Sequence, residues 1–501
     1  MSGGGEVQRW VEQQFESIGR RVREAAAAGL DVYIFYDVLS LPRVLIEADA
    51  EQALTCRGKP EMLCPASEAA MERSAAALDA MITRWPQIAG VVLRLGDNDA
   101  ARFPHLVGNE LYLPHCPRCS GMSRADRMLE AIRRFHHLIV ERHGRRLIVR
   151  AWNVRPGGMH DTPDLAVRIA NGLPGRADDD RLVLSFKFTE TDFWRYQRWN
   201  PASLVVGDRP VIYELQCQRE FEGKGGLPDW QVPLWVHGCP EMRGHEEVSG
   251  LAAVAGRINL AGLWAWVRGG GWGGPFVSSE TWIDANVHAV PHLAQQPDAD
   301  PAALADQWIE RRLGISDHEQ AAAIRQVLEH SPEHILKAFY IGPYARSRRN
   351  AWHPNGDWIQ DDLLDANAAW RMIRKLADTA LDEVVNEQAE AAALLAADRA
   401  TLYRVLGEGS RGHVEPMVNS LVYGESFYEA LRDLLDGLVA YKRLLRSKDD
   451  ALARRCHRSL LAAQSHWNHH TQRHGGLPGA ATAFREASFW ELTQRILAEL
   501  G

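Results

Sequence analysis

Residues 181–222 read RLVLSFKFTETDFWRYQRWNPASLVVGDRPVIYELQCQREFE. Two apolar runs, LVLSF (182–186) and VIYEL (211–215), have the length and composition of buried strands. Charged groups follow each at once: Lys187, Glu190 and Asp192 after the first, then Glu214, Arg219 and Glu220 at the second. Acids and bases packed around the ends of buried strands are poor material for a core. They are natural material for an active site.

Four further runs extend the pattern: DVYIFYDV (31–38), GVVLRLG (90–96), RLIVRAW (146–152) and LAGLWAWV (260–267). Between them, residues 7–29, 67–85, 123–143 and 163–172 carry helical periodicity. Alternating strands and helices predict parallel β/α units with both sheet faces covered. Charge at the strand C-termini is where a (β/α)8 barrel places its chemistry. The expected fold is therefore an α/β, TIM-type (β/α)8 barrel over residues 1–298; six strands are legible where eight are needed, which leaves the barrel either open or incomplete at its N-terminus. A doubly wound open sheet is the alternative. No GxGxxG or GKS/GKT follows any strand, which argues against a nucleotide site. After residue 299 strand signals fade, and residues 301–312, 317–329, 362–403 and 426–447 read as helices. A helical C-terminal domain, 299–501, is expected, with apolar faces suited to homodimerisation.

Bulk properties narrow the function. The chain has 501 residues, and 65 acids against 57 lysines and arginines leave a charge of −8, unsuited to nucleic acid or an anionic membrane surface. MSGGGEVQRW lacks a signal pattern, no apolar run approaches the ~18 residues of a membrane helix, and seven cysteines fit a reducing cytoplasm. A cytoplasmic protein without a cofactor is expected. Cys116 and Cys119, beside His115, form a lone CxxC with no second pair at zinc spacing, so no metal is expected. HWNHHTQRH (466–474) reads as a solvated helix end. Of the 17 tryptophans, Trp194, Trp199, Trp230, Trp235, Trp264, Trp266 and Trp272 crowd into one third of the chain; flat rings beside carboxylates suit a sugar face.

Without GxSxG or a supported Cys–His pattern, the candidate chemistry rests on strand-end acids: Asp37, Asp97, Asp99, Asp192, Glu214 and Glu220. Glycosidic hydrolysis requires one proton-donating acid and one carboxylate opposite it. Arg150 and Lys187 sit in the same ring and either neutralise these acids or grip an anionic sugar.

FKFTETDF and ELQCQREF resemble the catalytic segment of glycoside hydrolase family 67 α-glucuronidases, which pairs a Lys-x-x-x-x-Asp-Phe strand end with a following Glu-Leu-Gln-x-x-x-Glu-aromatic strand. Asp192 and Glu220 stand 28 residues apart, as the family's two base-side carboxylates do. RAW (150–152) is similar to the family's strand-end arginine motif, and 278–290 with 305–314 are similar to its approach to the helical domain. The resemblance implies an inverting hydrolase of a uronic-acid-containing oligosaccharide or glycoside, its acid and base about 6.5–9.5 Å apart. Asp192 and Glu220 would activate water; Lys187 and Arg150 would bind the uronate; Glu214, Arg94, Trp152 and Trp264 would complete the substrate site. The family's proton donor aligns with Asn98, whose amide has no acidic proton, so Asp97 is the expected donor, with Asp99 the other choice. Two other outcomes stay open: a carbohydrate-binding relative without catalysis, and a hydrolase of a neutral sugar.

Overall fold

The computed structural model of the chain describes residues 3–49, 51–98, 100–177, 179–242, 248–267, 279–348, 351–360, 363–406, 415–447, 449–474 and 485–501. Asp99 and Trp272 lie outside the described residues. The chain forms two compact units. The first comprises Met1–Asp192, Asn200–Glu214 and Val254–Gly262; the second comprises Phe193–Trp199, Leu215–Ala253 and Leu263–Gly501.

All six strands legible in the sequence form, as one sheet: β1 (Val32–Asp37), β2 (Ile88–Arg94), β3 (Arg146–Arg150), β4 (Leu182–Lys187), β5 (Val211–Gln216) and β6 (Leu260–Trp266), arranged in that order. Each pairing from β1 to β5 is parallel. The connections are the helical crossovers that parallel pairing requires, Glu68–Arg84, Arg124–His136 and Pro163–Gly172 for the first three. Ser67 caps the first of these by accepting a bond from Ala70 N–H at 3.1 Å, and Ser123 caps the second in the same way from Asp126 N–H. Pro163 opens the third, where a missing N–H does no harm. Gly90 is needed in β2, because a Cβ there would lie 2.7 Å from Arg146 O and closer still to the Tyr33 ring.

A closed eight-stranded barrel is not present among the described residues. The sheet is an open, curled half-barrel, and its burial pattern gives the reason. β4 is buried along its whole length, as an internal strand covered on both faces must be. β1 and β6, at the two ends of the strand order, are half-exposed, with Phe35 44% exposed. The helix Gly3–Ala27 precedes β1. A small sheet carries Ser40–Pro42, Leu106–Gly108, Lys59–Leu63 and Thr55–Cys56, in that spatial order.

The second unit is dominated by helices, the longest being Glu415–Ser447, Leu381–Leu406, Asp450–His474 and His318–Phe339. A minor three-stranded sheet, Ile359–Gln360, Leu363–Asp365 and Arg485–Ala487, interrupts them, so the C-terminal region is not purely helical. The helix expected to end at 329 runs on to Phe339 through Pro332. Pro332 has no N–H for the Leu328 carbonyl, and Ser331 Oγ donates to that oxygen instead, at 2.7 Å. The stretch 362–403 divides into Ala366–Lys375 and Leu381–Leu406, because Leu376 and Ala377 are extended.

The histidine-rich tract is a helix end that is solvated on one face only: Asn468, His469, Gln472 and Arg473 are exposed. His470 and His474 are buried, and Ser426 Oγ lies 2.8 Å from His470 Nδ1. Burial first, then neighbouring histidines, holds His470 down to about 3; burial and Arg473 hold His474 down to about 4. These rings are neutral packing elements. No described helix is long and apolar enough to cross a membrane.

Candidate active site

The parallel register carries the site. Asp37 pairs with Arg94, Arg94 with Arg150, Arg150 with Ser185, and Lys187 with Glu214 in adjacent strands, which puts charged or polar groups from each of β1 to β5 at the C-terminal edge of the sheet. Side chains of alternating sign then bond along that edge. Arg94 Nε lies 3.2 Å from Asp37 Oδ1, and Arg94 Nη2 lies 3.1 Å from Asp97 Oδ2. Arg150 Nη1 donates to the same Asp97 oxygen at 3.1 Å, while Arg150 Nε donates to both Glu214 oxygens at 3.1 Å. Ser185 Oγ donates to Glu214 at 2.9 Å. At the far end Lys187 is ion-paired with Asp192 and sits 3.5 Å from the centre of the Trp152 ring.

Two layers emerge from the exposure of these groups. Arg150, Glu214, Lys187 and Trp152 are buried. The side chains of Asp37, Arg94, Asp97 and Asp192 keep 18, 13, 12 and 24% of their surface open. Burial by itself would favour discharging Arg150, but Glu214 and then Asp97 more than offset it, and its pKa is raised. The arginine is a permanent cation locked beneath the edge. Removing one partner of such a pair typically costs about 3–5 kcal/mol.

Asp97 is reached by an unusual turn. Its φ of 56° is left-handed, a conformation that costs a non-glycine residue on the order of 1 kcal/mol and is found where position matters more than comfort. Asn98 beside it has a different job. Its Nδ2 donates to Leu39 O at 2.6 Å and to Asn109 O at 3.1 Å, and its Oδ1 accepts from Ala100 N–H at 2.8 Å. Asn98 ties the loop after β1 to the segment after the strand Leu106–Gly108, so its amide is a brace between loops.

That brace exposes a residue the sequence reading missed. Leu111 N–H donates to Leu95 O at 2.9 Å, which brings Glu110 beside the turn at Asp97. Glu110 is half-buried, and its pKa is raised: burial is the largest cause, Arg155 and Arg124 oppose it, and Asp97 adds to it. Glu110 lies on no strand of the main sheet, so no strand-end rule could single it out. His160 was also missed. It is buried against Trp152, ring centres 4.7 Å apart, and burial, Lys187 and Arg150 hold its pKa far below the usual value, which keeps it neutral.

The structure therefore brings Arg94, Asp97, Arg150, Trp152, Lys187, Asp192 and Glu214 together within the first unit. Glu220 and Trp264 belong to the second unit. Glu220 is 5% exposed and bonded to Gln216 twice, accepting from Nε2 at 2.8 Å and donating its own N–H to Oε1 at 3.2 Å. Trp264 packs on Trp266 with ring centres 5.3 Å apart. The other tryptophans of the crowd are mostly core: Trp194, Trp199, Trp230 and Trp235 are all buried, and Trp194 stacks on Phe221 at 3.8 Å. Their large apolar area made burial the stronger demand.

For metal binding, the described residues contain one cluster, Cys56, Cys64, Cys116 and Cys119, also in the first unit. The CxxC is thus not alone: Cys56 and Cys64 join it from a spacing that sequence rules do not search.

No family model matches the chain, and no curated protein matches it. Among solved structures it is similar to a GH138 enzyme targeting pectin rhamnogalacturonan II, with 10% identity, a TM-score of 0.46, and coverage of 93% of this chain and 82% of that one. It is also similar to a mutant O-GlcNAc hydrolase of Thermobaculum terrenum, with 9% identity, a TM-score of 0.42, and coverage of 98% of this chain and 82% of that one.

Proposed function

We propose that the C-terminal edge of the half-barrel sheet is the active site of a glycoside hydrolase. The observation that carries this reading is the layering of the edge: a buried Arg150–Glu214 pair holds Asp97 in place, while Asp37, Asp97, Asp192 and the nearby Glu110 keep access to water. Splitting a glycosidic bond takes a carboxylic acid to protonate the leaving oxygen and a second carboxylate to activate water. Glu110 has the character of the acid, since burial keeps its proton on at higher pH than an ordinary glutamate would. Asp97 already bonds two guanidiniums, an arrangement suited to orienting groups and ill-suited to delivering a proton. Asp192, steered by Lys187, supplies the water side.

The resemblance to α-glucuronidases adds the finer reading: a uronic-acid substrate whose carboxylate is met by Lys187 and Arg150, cleaved with inversion; with Arg150 buried between Glu214 and Asp97, the more exposed Arg94 takes its place in our reading. A panel of 4-nitrophenyl glycosides and 4-O-methylglucuronosyl xylo-oligosaccharides, with product anomers followed by NMR, tests both levels. Glucuronide turnover that falls about 10²–10⁴-fold in Glu110→Gln supports the reading. Uronate binding without turnover in the wild-type protein would replace it with a carbohydrate-binding role.

One observation favours a second substrate class. Arg94, Arg150 and Lys187 each already have a carboxylate partner, so a uronate would have to displace Asp97 or Asp192. A neutral sugar would not. Faster turnover of glucosides than of the matching glucuronides would select that alternative.

A further inference from the structure

We infer that Cys56, Cys64, Cys116 and Cys119 form a structural zinc site, one that owes nothing to the proposed hydrolase chemistry. The four sulfurs lie within 4.8 Å of one another, and all four residues are buried, none more than 6% exposed. Cys64 Sγ to Cys116 Sγ is 3.8 Å, and Cys116 Sγ to Cys119 Sγ is 3.6 Å. Tetrahedral zinc with Zn–S bonds of about 2.3 Å places its sulfurs about 3.8 Å apart. A disulfide needs about 2.05 Å. The sulfur spacing is that of ligands around a common centre.

The backbone around the sulfurs has the form of a metal cradle. Thr55–Cys56 and Lys59–Leu63 make an antiparallel hairpin, Gly58 turning it at φ 77°, with Cys56 on one arm and Cys64 just past the other. Across from it, Cys116-Pro-Arg-Cys119 closes a single turn in which Cys119 Sγ accepts from His115 N–H at 3.0 Å and Cys116 N–H at 3.2 Å. N–H donors aimed at sulfur stabilise a thiolate and orient it toward a metal. Arg118 completes the outer layer. Its Nε donates to Cys64 Sγ at 3.2 Å, and its Nη atoms donate to Ala53 O at 3.0 Å and Thr55 O at 2.6 Å. A guanidinium at that place compensates part of the double negative charge that four thiolates leave on a divalent ion.

Packing gives an independent reason. The only partly buried hydrophobics against the four cysteines, among the described residues, are Met62 and Ala66. Leu63 on the hairpin is buried in its own right, but the cysteine cluster has few apolar neighbours of its own. A metal bound to four thiolates supplies folding free energy directly. Soft thiolate donors in a closed tetrahedron select zinc or iron, and a closed set with no open position fits a structural role.

The test uses the full chain, purified without chelator. Elemental analysis after gel filtration should find about one zinc per chain, released by a mercurial thiol reagent; cobalt substituted for zinc should give sulfur-to-metal charge-transfer bands with tetrahedral d–d absorption. Cys116→Ser and Cys56→Ser should lose most of the zinc, while Cys456→Ala, in the second unit, should retain it. If the serine variants do not fold, zinc content and the cobalt spectrum of the otherwise unaltered protein decide. Absence of stoichiometric metal, or a disulfide among these four residues, overturns the site. Iron at one per chain in place of zinc overturns the zinc assignment.

Discussion

Two dense charge clusters follow the strand ends of this protein, and they differ in one respect. In the first unit, Asp37, Arg94, Asp97, Arg150, Glu214, Lys187 and Asp192 form a row with a buried layer and a solvent-facing layer. In the second unit, Arg219 bonds Glu222 at 2.6 Å and lies 3.7 Å from Asp229, Tyr340 donates to Glu222 at 2.6 Å, and Arg195 grips Glu241 at 2.7 and 3.0 Å. The residues of this second cluster are at most 6% exposed in their side chains or buried outright. Both clusters come from similar stretches of sequence, rich in Arg, Glu and Asp. Charge density alone does not make a site; access to a ligand does. The sealed cluster has the character of an ionic core: carboxylate partners keep Arg195 and Arg219 charged, while burial and then Glu222 push Asp229 well above the usual carboxylate range.

The sharpest test of this contrast is catalytic. Glu110→Gln, in the open cluster, should lower kcat about 10²–10⁴-fold with little change in thermal midpoint. A loss of stability with unchanged kcat would move Glu110 into the structural class. Next in size, Arg219→Met in the sealed cluster should cost about 3–5 kcal/mol in urea unfolding, because Glu222 and Asp229 are left buried without their cation. Its activity per folded molecule should be unchanged; a selective loss of turnover would show that the second cluster is no mere support.

A smaller effect should come from titration of buried histidines in the second unit. His334 and His470 are held down to about 3 and His474 to about 4, from an ordinary value of 6.5, with burial the largest cause in each case. The unfolded chain takes up these protons first as pH falls. Stability of the helical unit should therefore decline from about pH 6.5 toward 4, while it is flat above 7. Urea unfolding across that range, with His334→Gln flattening part of the slope, checks the sign; a stability rising on acidification would contradict the buried neutral rings. The smallest effect belongs to Asn98. Asn98→Ala removes bonds to Leu39, Asn109 and Ala100 and should cost about 1–2 kcal/mol, with kcat reduced less than tenfold. A collapse of turnover at full stability would return Asn98 to the chemistry.

By itself the sequence determined the six strands, their order of use and most of the helices, because apolar periodicity and caps such as Ser67 and Ser123 act over a few neighbouring residues. It also placed Arg94, Arg150, Lys187 and Glu214 at strand ends, since strand length alone decides what stands there. Tertiary structure decided the rest. Whether Trp194 would meet a sugar or Phe221, whether Arg150 would meet a substrate or Glu214, and whether the sheet would close are settled by partners tens of residues away. Glu110 and the Cys56–Cys64 pair have no periodic signature at all: a backbone bond from Leu111 to Leu95 positions one, and a hairpin facing a one-turn loop positions the other. Local patterns report which elements form. Exposure, ion pairing and metal geometry depend on distances between elements, and no local pattern encodes a distance.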